Sequence, residues 1–220
     1  MVKGVIFDLD GTLIDTIEGL ANSVNAAMEH YSFPKHSIEE YRTFVGNGVG
    51  KLVYRALPEN EKHLSEDARK IFEKHYAETM LDVLPVYPGI ERLLSYLMEN
   101  NIKIAVNTNK MDVFAKPMIK KVFGDIFCEV LGEVEHFSRK PSADGVNYLL
   151  EKMGVKRDEC LYVGDSQVDI KTARNAQMRC VSVTWGFATR DVLMANEPEI
   201  MVDSPDEIID LIERENTYAG

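Results

Sequence analysis

The chain has only three cysteines in 220 residues, Cys128, Cys160 and Cys180. They are odd in number and widely spaced, which excludes a disulfide framework and a zinc-ligand pattern, and a reducing compartment is the simplest reading. No apolar run approaches the ~18–20 residues that a membrane span requires. Met1 leads directly into Val2-Lys3-Gly4-Val5-Ile6-Phe7 without a signal-peptide pattern, so a cytoplasmic protein is expected. Basic residues are in deficit: 25 Lys and Arg stand against 36 Asp and Glu, a formal net charge of −11. A chain of that charge repels polyanions at long range, which argues against nucleic acid or an anionic membrane surface as its partner. A small anion remains compatible, because a metal or one placed lysine reverses the local field. Internal repeats and low-complexity stretches are missing as well. The hydrophobic share of 45% is that of an ordinary globular chain, large enough for one main domain and a smaller one.

Three short runs of β-formers are continuous rather than alternating, as buried parallel strands are: Val5-Ile6-Phe7, Ile102 to Val106, and Cys160 to Val163. Each ends in polar residues, namely Asp8, then Asn107-Thr108-Asn109-Lys110, then Gly164-Asp165-Ser166. Ligands of open α/β sheets bind outside the carboxyl ends of the strands, so these three endings are expected to converge on one site. Helical patterns over Gly89–Asn100, Ser142–Met153 and Gln167–Ala176 lie between the strands, and Ile126–Leu131 and Cys180–Thr184 extend the sheet. The resulting expectation is a doubly wound, mostly parallel α/β sheet. Residues 15–83 read differently, without a convincing strand. There Ile17, Leu20, Val24 and Met28 share one helical face, and Ile71, Phe72, His75 and Tyr76 another. Gly11 on entry and Pro85 and Pro88 on exit mark hinges, which predicts a helical cap at 15–83 inserted into a core made of 1–14 and 84–220.

Asp8-Leu9-Asp10-Gly11-Thr12 carries the most chemistry. In an extended segment residues two apart face the same way, so Asp8 and Asp10 would share a site, one as nucleophile and the other able to carry a proton. A solvated acidic turn is the plain alternative for two carboxylates at that spacing. Asp165 or Ser166 would cap the helix that follows, and Asn47 would cap one containing Val49, Leu52, Val53 and Ala56. Gly46-Asn47-Gly48-Val49-Gly50-Lys51 is one residue short of a nucleotide-binding loop, and Leu52 stands where a hydroxyl would hold Mg2+, so that reading is rejected. The five histidines show no metal-ligand spacing, and the ten methionines form no cofactor box. Trp185-Gly186-Phe187 would pack in the core or close the rim of the site.

Phe7-Asp8-Leu9-Asp10-Gly11-Thr12-Leu13-Ile14-Asp15 resembles the first motif of the haloacid dehalogenase superfamily. Val106-Asn107-Thr108-Asn109-Lys110 is similar to the second, Arg139-Lys140-Pro141 to the third, and Gly164-Asp165-Ser166-Gln167-Val168-Asp169 to the fourth, all in the family's order. The third departs from the family's K-P-x-P in continuing Ser142-Ala143. The resemblance implies a Rossmann-like core and a phosphomonoesterase in which Asp8 attacks phosphorus and Asp10 serves as acid and then base. It further implies that Thr108, Asn109 and Lys140 hold the phosphate. Mg2+ would be bound by Asp8, the Asp10 carbonyl and Asp165, with Asp169 as a further ligand or as support behind them. Oxygen ligands of this kind suit Mg2+ better than zinc. The segment from Phe44 to Gly48, with Leu52-Val53 and Arg55-Ala56-Leu57, resembles the cap loop of the phosphoglycolate phosphatase family. That implies Gly46, Asn47, Gly48 and Arg55 as substrate contacts and a small phosphorylated metabolite such as 2-phosphoglycolate as substrate, in a monomer or homodimer. Alternatives are a phosphotransferase or mutase with the same four motifs, and a non-catalytic phospho-acceptor or regulatory protein. Dehalogenase and phosphonatase relatives lack the second carboxylate supplied here by Asp10.

Overall fold

The computed structural model describes residues 1–218. Its centre is a sheet of six strands, all paired parallel: β1 (Gly4–Phe7), β2 (Lys103–Met111), β3 (Glu129–Glu133), β4 (Cys160–Gly164), β5 (Arg179–Val183) and β6 (Ile200–Val202), in the order β3-β2-β1-β4-β5-β6. The direction of winding reverses at β1, which lies between β2 and β4. Such a switch point opens a crevice at the carboxyl ends of the strands. Phe7 is level with both Val106 and Val163, so the residues after Phe7 emerge beside Asn107-Thr108 and Gly164-Asp165.

Alternation along β1 explains why both faces of the sheet are covered. Val5 and Phe7 pack with α5 (Ile90–Glu99) and α10 (Pro205–Tyr218) through Leu93, Leu97, Ile208 and Ile212. Ile6 points the other way, into a cluster with Leu149 and Met153 of α7 (Asp144–Met153) and Ile170 and Ala173 of α8 (Gln167–Asn175). Each such side chain, fully buried, contributes about 1.5–3 kcal/mol relative to exposure.

Between β1 and β2 come α1 (Ile17–His30), α2 (Ile38–Phe44), α3 (Val49–Ala56), a 3-10 turn at Glu59–Leu64 and α4 (Ser65–Thr79). Ile17, Leu20, Val24 and Met28 are all buried and meet Phe72 and Tyr76 of α4 and Leu52 and Val53 of α3. Phe114 and Met118 of α6 (Asp112–Phe123), together with Phe187, join this cluster from the sheet side. The two chain crossings pair with one another. Asp15 N–H donates to the Pro85 carbonyl at 2.8 Å, Tyr87 N–H donates to Leu13, and Ile14 bridges antiparallel to Val86.

Several sequence expectations are corrected. Strand β2 does not stop at Val106 but continues through the polar stretch to Met111, with a register shift against β3. A sixth strand, β6, was not expected: three residues between Glu199 and Asp203 are too short to show a period. Helix α6 has Pro117 inside it, and α9 (Arg190–Met194) spans only five residues. Asn47 is not a helix cap, since Gly48 occupies that position with φ 80°. Nor does Asp165 cap α8. Ser166 accepts from Asp169 N–H, and Asp169 accepts from Ser166 N–H in return. No helix of the described residues is long and apolar enough to cross a membrane.

Candidate active site

The ends of β1 and β4 bring Asp8 and Asp165 beside Thr108, which lies within the outer half of β2, and the loop before α7 adds Lys140; all four are buried. Lys140 Nζ lies 2.8 Å from Asp8 Oδ1 and 2.7 Å from Asp169 Oδ1. Carboxylate oxygens of Asp8, Asp165 and Asp169 fall within 4.8 Å of one another. Three carboxylates against one ammonium leave a local excess of negative charge, held where water is nearly excluded. Burial pushes Asp8 from its ordinary 3.8 up to about 7, with Lys140 opposing and Asp169 adding to the rise. Burial likewise lifts Asp165 well above the usual carboxylate range, reinforced by Asp169 and Asp8. For Lys140, burial alone would favour the neutral amine, but Asp169 and Asp8 outweigh it and hold the ammonium well above its usual value.

This excess is what a divalent cation with oxygen ligands relieves. Asp165 is fixed for such a role: its Oδ2 accepts from Phe187 N–H at 2.6 Å. Gly11, at φ 84°, lies so near that a Cβ there would stand 2.3 Å from Asp165 Oδ2, so only glycine closes the turn over this carboxylate. Asp169 has both oxygens engaged, Oδ1 by Lys140 and Oδ2 by Ser166. Its Oδ1 thereby holds the Lys140 ammonium in place.

Asp10 is set apart by its own partners. Thr16 Oγ1 donates to its Oδ1 at 2.6 Å, and Lys110 Nζ reaches Oδ1 at 2.9 Å and Oδ2 at 3.2 Å. The Lys110 ammonium also lies 4.8 Å from the centre of the Tyr76 ring, a cation–π contact that joins the sheet to α4. Neither Thr16 nor Lys110 was singled out from sequence. Strand periodicity carried the signal for Lys110, because it follows Thr108 by two residues on β2 and so shares its face, but only once the strand is known to extend that far.

Three of the expected substrate contacts, Asn109, Arg55 and Asn47, hold partners within the protein. The Asn109 amide holds the Lys140 backbone, donating to its carbonyl at 3.2 Å and accepting from its N–H at 2.9 Å, so it braces the lysine loop while the residue lines the cavity beside Thr108. Arg55 donates to the Phe44 carbonyl at 2.6 Å and to Asn47 Oδ1 at 2.8 Å. Arg55 and Asn47 thus clamp the loop before α3 from behind. Gly46 and Gly48 do line the cavity above the acidic residues, a space of about 330 Å3. That volume is at the lower end of small-molecule sites. One side of it is Asp8, Asp10, Thr108, Lys140 and Asp165, with Phe187 next to Asp165, and the other is Leu20, Val45, Val49 and Leu52 of the inserted segment. Phe187 is buried in the cluster of the inserted helices and also lines the cavity, while Trp185 packs against the core of the sheet and donates to the Thr12 carbonyl.

The switch point thus holds an acidic cluster and two buried lysines, Lys110 and Lys140, facing a cavity that the inserted helices also line. Residues 5–183 match the family model of the haloacid dehalogenase-like hydrolases, and the chain belongs to that family. Within it the chain is a phosphatase, a phosphoric monoester hydrolase. It is 32% identical to the phosphoglycolate phosphatase of Vibrio parahaemolyticus over 219 residues, 96% of each chain. To that of Yersinia pseudotuberculosis it is 32% identical over 206 residues, 91% of this chain and 89% of the relative. A crystal structure from Lactobacillus delbrueckii, provisionally named a phosphoglycolate phosphatase, superposes with a TM-score of 0.89 at 28% identity, over 96% of this chain and 98% of the other.

Proposed function

We propose that the chain hydrolyses small phosphorylated acids, 2-phosphoglycolate first among them, by transferring the phosphoryl group to Asp8 in the presence of Mg2+. The observation that carries this reading is the pairing of Lys140 with Asp8 on one side of a small cavity whose other side is lined by the inserted segment. We take residues 15–83 as a cap over a core of 1–14 and 84–220, and the cytoplasm as the place of action.

In this account Lys140 and Thr108 hold phosphate oxygens while Asp8 attacks phosphorus. The bond from phosphorus to the ester oxygen breaks, and Asp10 gives that oxygen its proton, releasing the alcohol. Water then attacks the aspartyl-phosphate, Asp10 takes the proton back, and inorganic phosphate leaves with Asp8 regenerated. A covalent intermediate splits one difficult displacement into two easier ones. Asp8, Asp165 and the Asp10 carbonyl would hold Mg2+, with Asp169 behind them. When bound, the ion supplies positive charge against the phosphate oxygens and against the crowded carboxylates. The same proton-shuttling residue in both halves is what general acid–base chemistry asks for.

Phosphate release tests the proposal. Purified protein should liberate inorganic phosphate from 2-phosphoglycolate with Mg2+ and lose this activity on chelation. Free phosphate as the product separates hydrolysis from transfer to a sugar hydroxyl, and a clear preference for sugar phosphates would retire the proposed substrate class.

A further inference from the structure

Three cations line the cavity: Lys140, Lys110 and Arg42. Lys140 is committed to Asp8 and Asp169, and Lys110 to Asp10. Arg42, in the last turn of α2, is different. Among the described residues its guanidinium donates no hydrogen bond; its nearest carboxylates, Glu39 and Asp15, stand off at 3.7 and 3.8 Å. Its side chain is nevertheless placed, only 29% exposed and with Cζ 5.8 Å from the centre of the Phe187 ring. Helix α2 is itself anchored by the reciprocal capping of Ser37 and Glu40. A ring face, the Tyr87 hydroxyl and two carboxylates at ion-pair distance surround the guanidinium, which lines the cavity without a short hydrogen bond to either carboxylate.

A guanidinium fork matches a carboxylate or phosphate edge through two parallel hydrogen bonds. Charge decides between the two. A second phosphate would bring close to two negative charges beside Glu39 and Asp15, with the single Arg42 cation to meet them all, whereas a carboxylate brings one. We infer that Arg42 reads the carboxylate of the leaving group, so that the substrate is a phosphate ester of a short hydroxy acid rather than of a neutral alcohol or of a second phosphate. The short carbon chain between the two anionic ends meets the apolar wall of Leu20, Val45 and Leu52. This inference rests on the proposed phosphatase reading and adds to it the residue that sets its selectivity.

The experiment compares kcat/KM for 2-phosphoglycolate and for 2-hydroxyethyl phosphate, which has a neutral end in place of the carboxylate. Wild type should prefer the acid. Arg42→Gln should lose about ten- to hundredfold on the acid, the value of a charge-assisted hydrogen-bonded pair, and little on the neutral ester. Arg42→Lys, which keeps the charge without the fork, should keep part of the preference, and it gives the same test if Arg42→Gln does not fold. Equal losses on both esters would overturn the assignment of Arg42 while leaving the small-acid reading intact, because the residue would then serve only packing or closure. A wild type that does not prefer the acid would overturn both, and is told apart from the first failure without any variant.

Discussion

Replacing the proposed nucleophile should make the metal-free protein more stable. Asp8 is pushed from 3.8 to about 7 by burial, with Asp169 and Asp10 adding to the rise against the opposing pull of Lys140. A carboxyl whose pKa is higher in the folded than in the unfolded chain binds more protons when folded. Its effect is therefore absent below about pH 4, grows as the pH rises, and is a full destabilisation once the pH passes about 7. A rise of about three units at roughly 1.4 kcal/mol each sets a ceiling of about 4 kcal/mol. Asp8→Asn removes the charge while its Oδ1 can still accept from Leu9 N–H and Lys140. The amide takes back part of the gain because its NH2 is a poor neighbour for an ammonium, leaving on the order of 2–3 kcal/mol. For a chain of this size that is an increase in Tm of roughly 4–12 °C. Thermal melts in chelator from pH 5 to pH 8 measure it: wild type should lose stability relative to Asp8→Asn as the pH rises, and Mg2+ should restore wild type more than the variant. A variant less stable than wild type at pH 8, or a gap that does not change with pH, would refute this electrostatic account of the cluster.

Asp10→Asn should slow both formation and breakdown of the phosphoenzyme, and in the first step the loss should be smaller for p-nitrophenyl phosphate, whose leaving group needs no proton, than for an alkyl ester; rapid-quench kinetics would show equal losses if Asp10 is not the acid. Thr16→Val removes the 2.6 Å hydrogen bond that fixes Asp10, and kcat should fall by roughly tenfold with KM little changed, as steady-state kinetics can check. Gly48→Val forces a Cβ to 3.1 Å from the Arg139 guanidinium at a backbone φ of 80° that a β-branched residue resists. KM for 2-phosphoglycolate should rise severalfold while activity on p-nitrophenyl phosphate falls less; equal losses would make the loop a folding element alone.

How far the sequence was legible follows from the range of each signal. Phe7 and Asp8 are neighbours, and a continuous apolar run ending in carboxylates names both a buried strand and a strand-end site, so β1, β4 and their acidic endings were readable. Order of motifs added Lys140, which no local pattern distinguishes from a solvated loop lysine. Long-range partnership was not readable. That the Asn109 amide serves the Lys140 backbone, or that Arg55 braces Asn47, depends on where side chains end after folding, and spacing does not encode it. Lys110 and the outer half of β2 were lost together, because a polar run facing a ligand cavity looks like a loop when hydrophobicity is the guide. Arg42 lies in a short helix among acidic residues, where a solvated charge is the ordinary reading.

The central claim is that the phosphoryl group passes through Asp8. The direct measurement is a rapid quench of the Mg2+-started reaction, reduction of any acyl phosphate with borohydride, and mass spectrometry of the peptide that contains residues 4–15. Conversion of residue 8 to homoserine, dependent on substrate and missing in Asp8→Asn, is the expected result. Modification at another carboxylate, or none at residue 8 while the same sample releases phosphate, would contradict it.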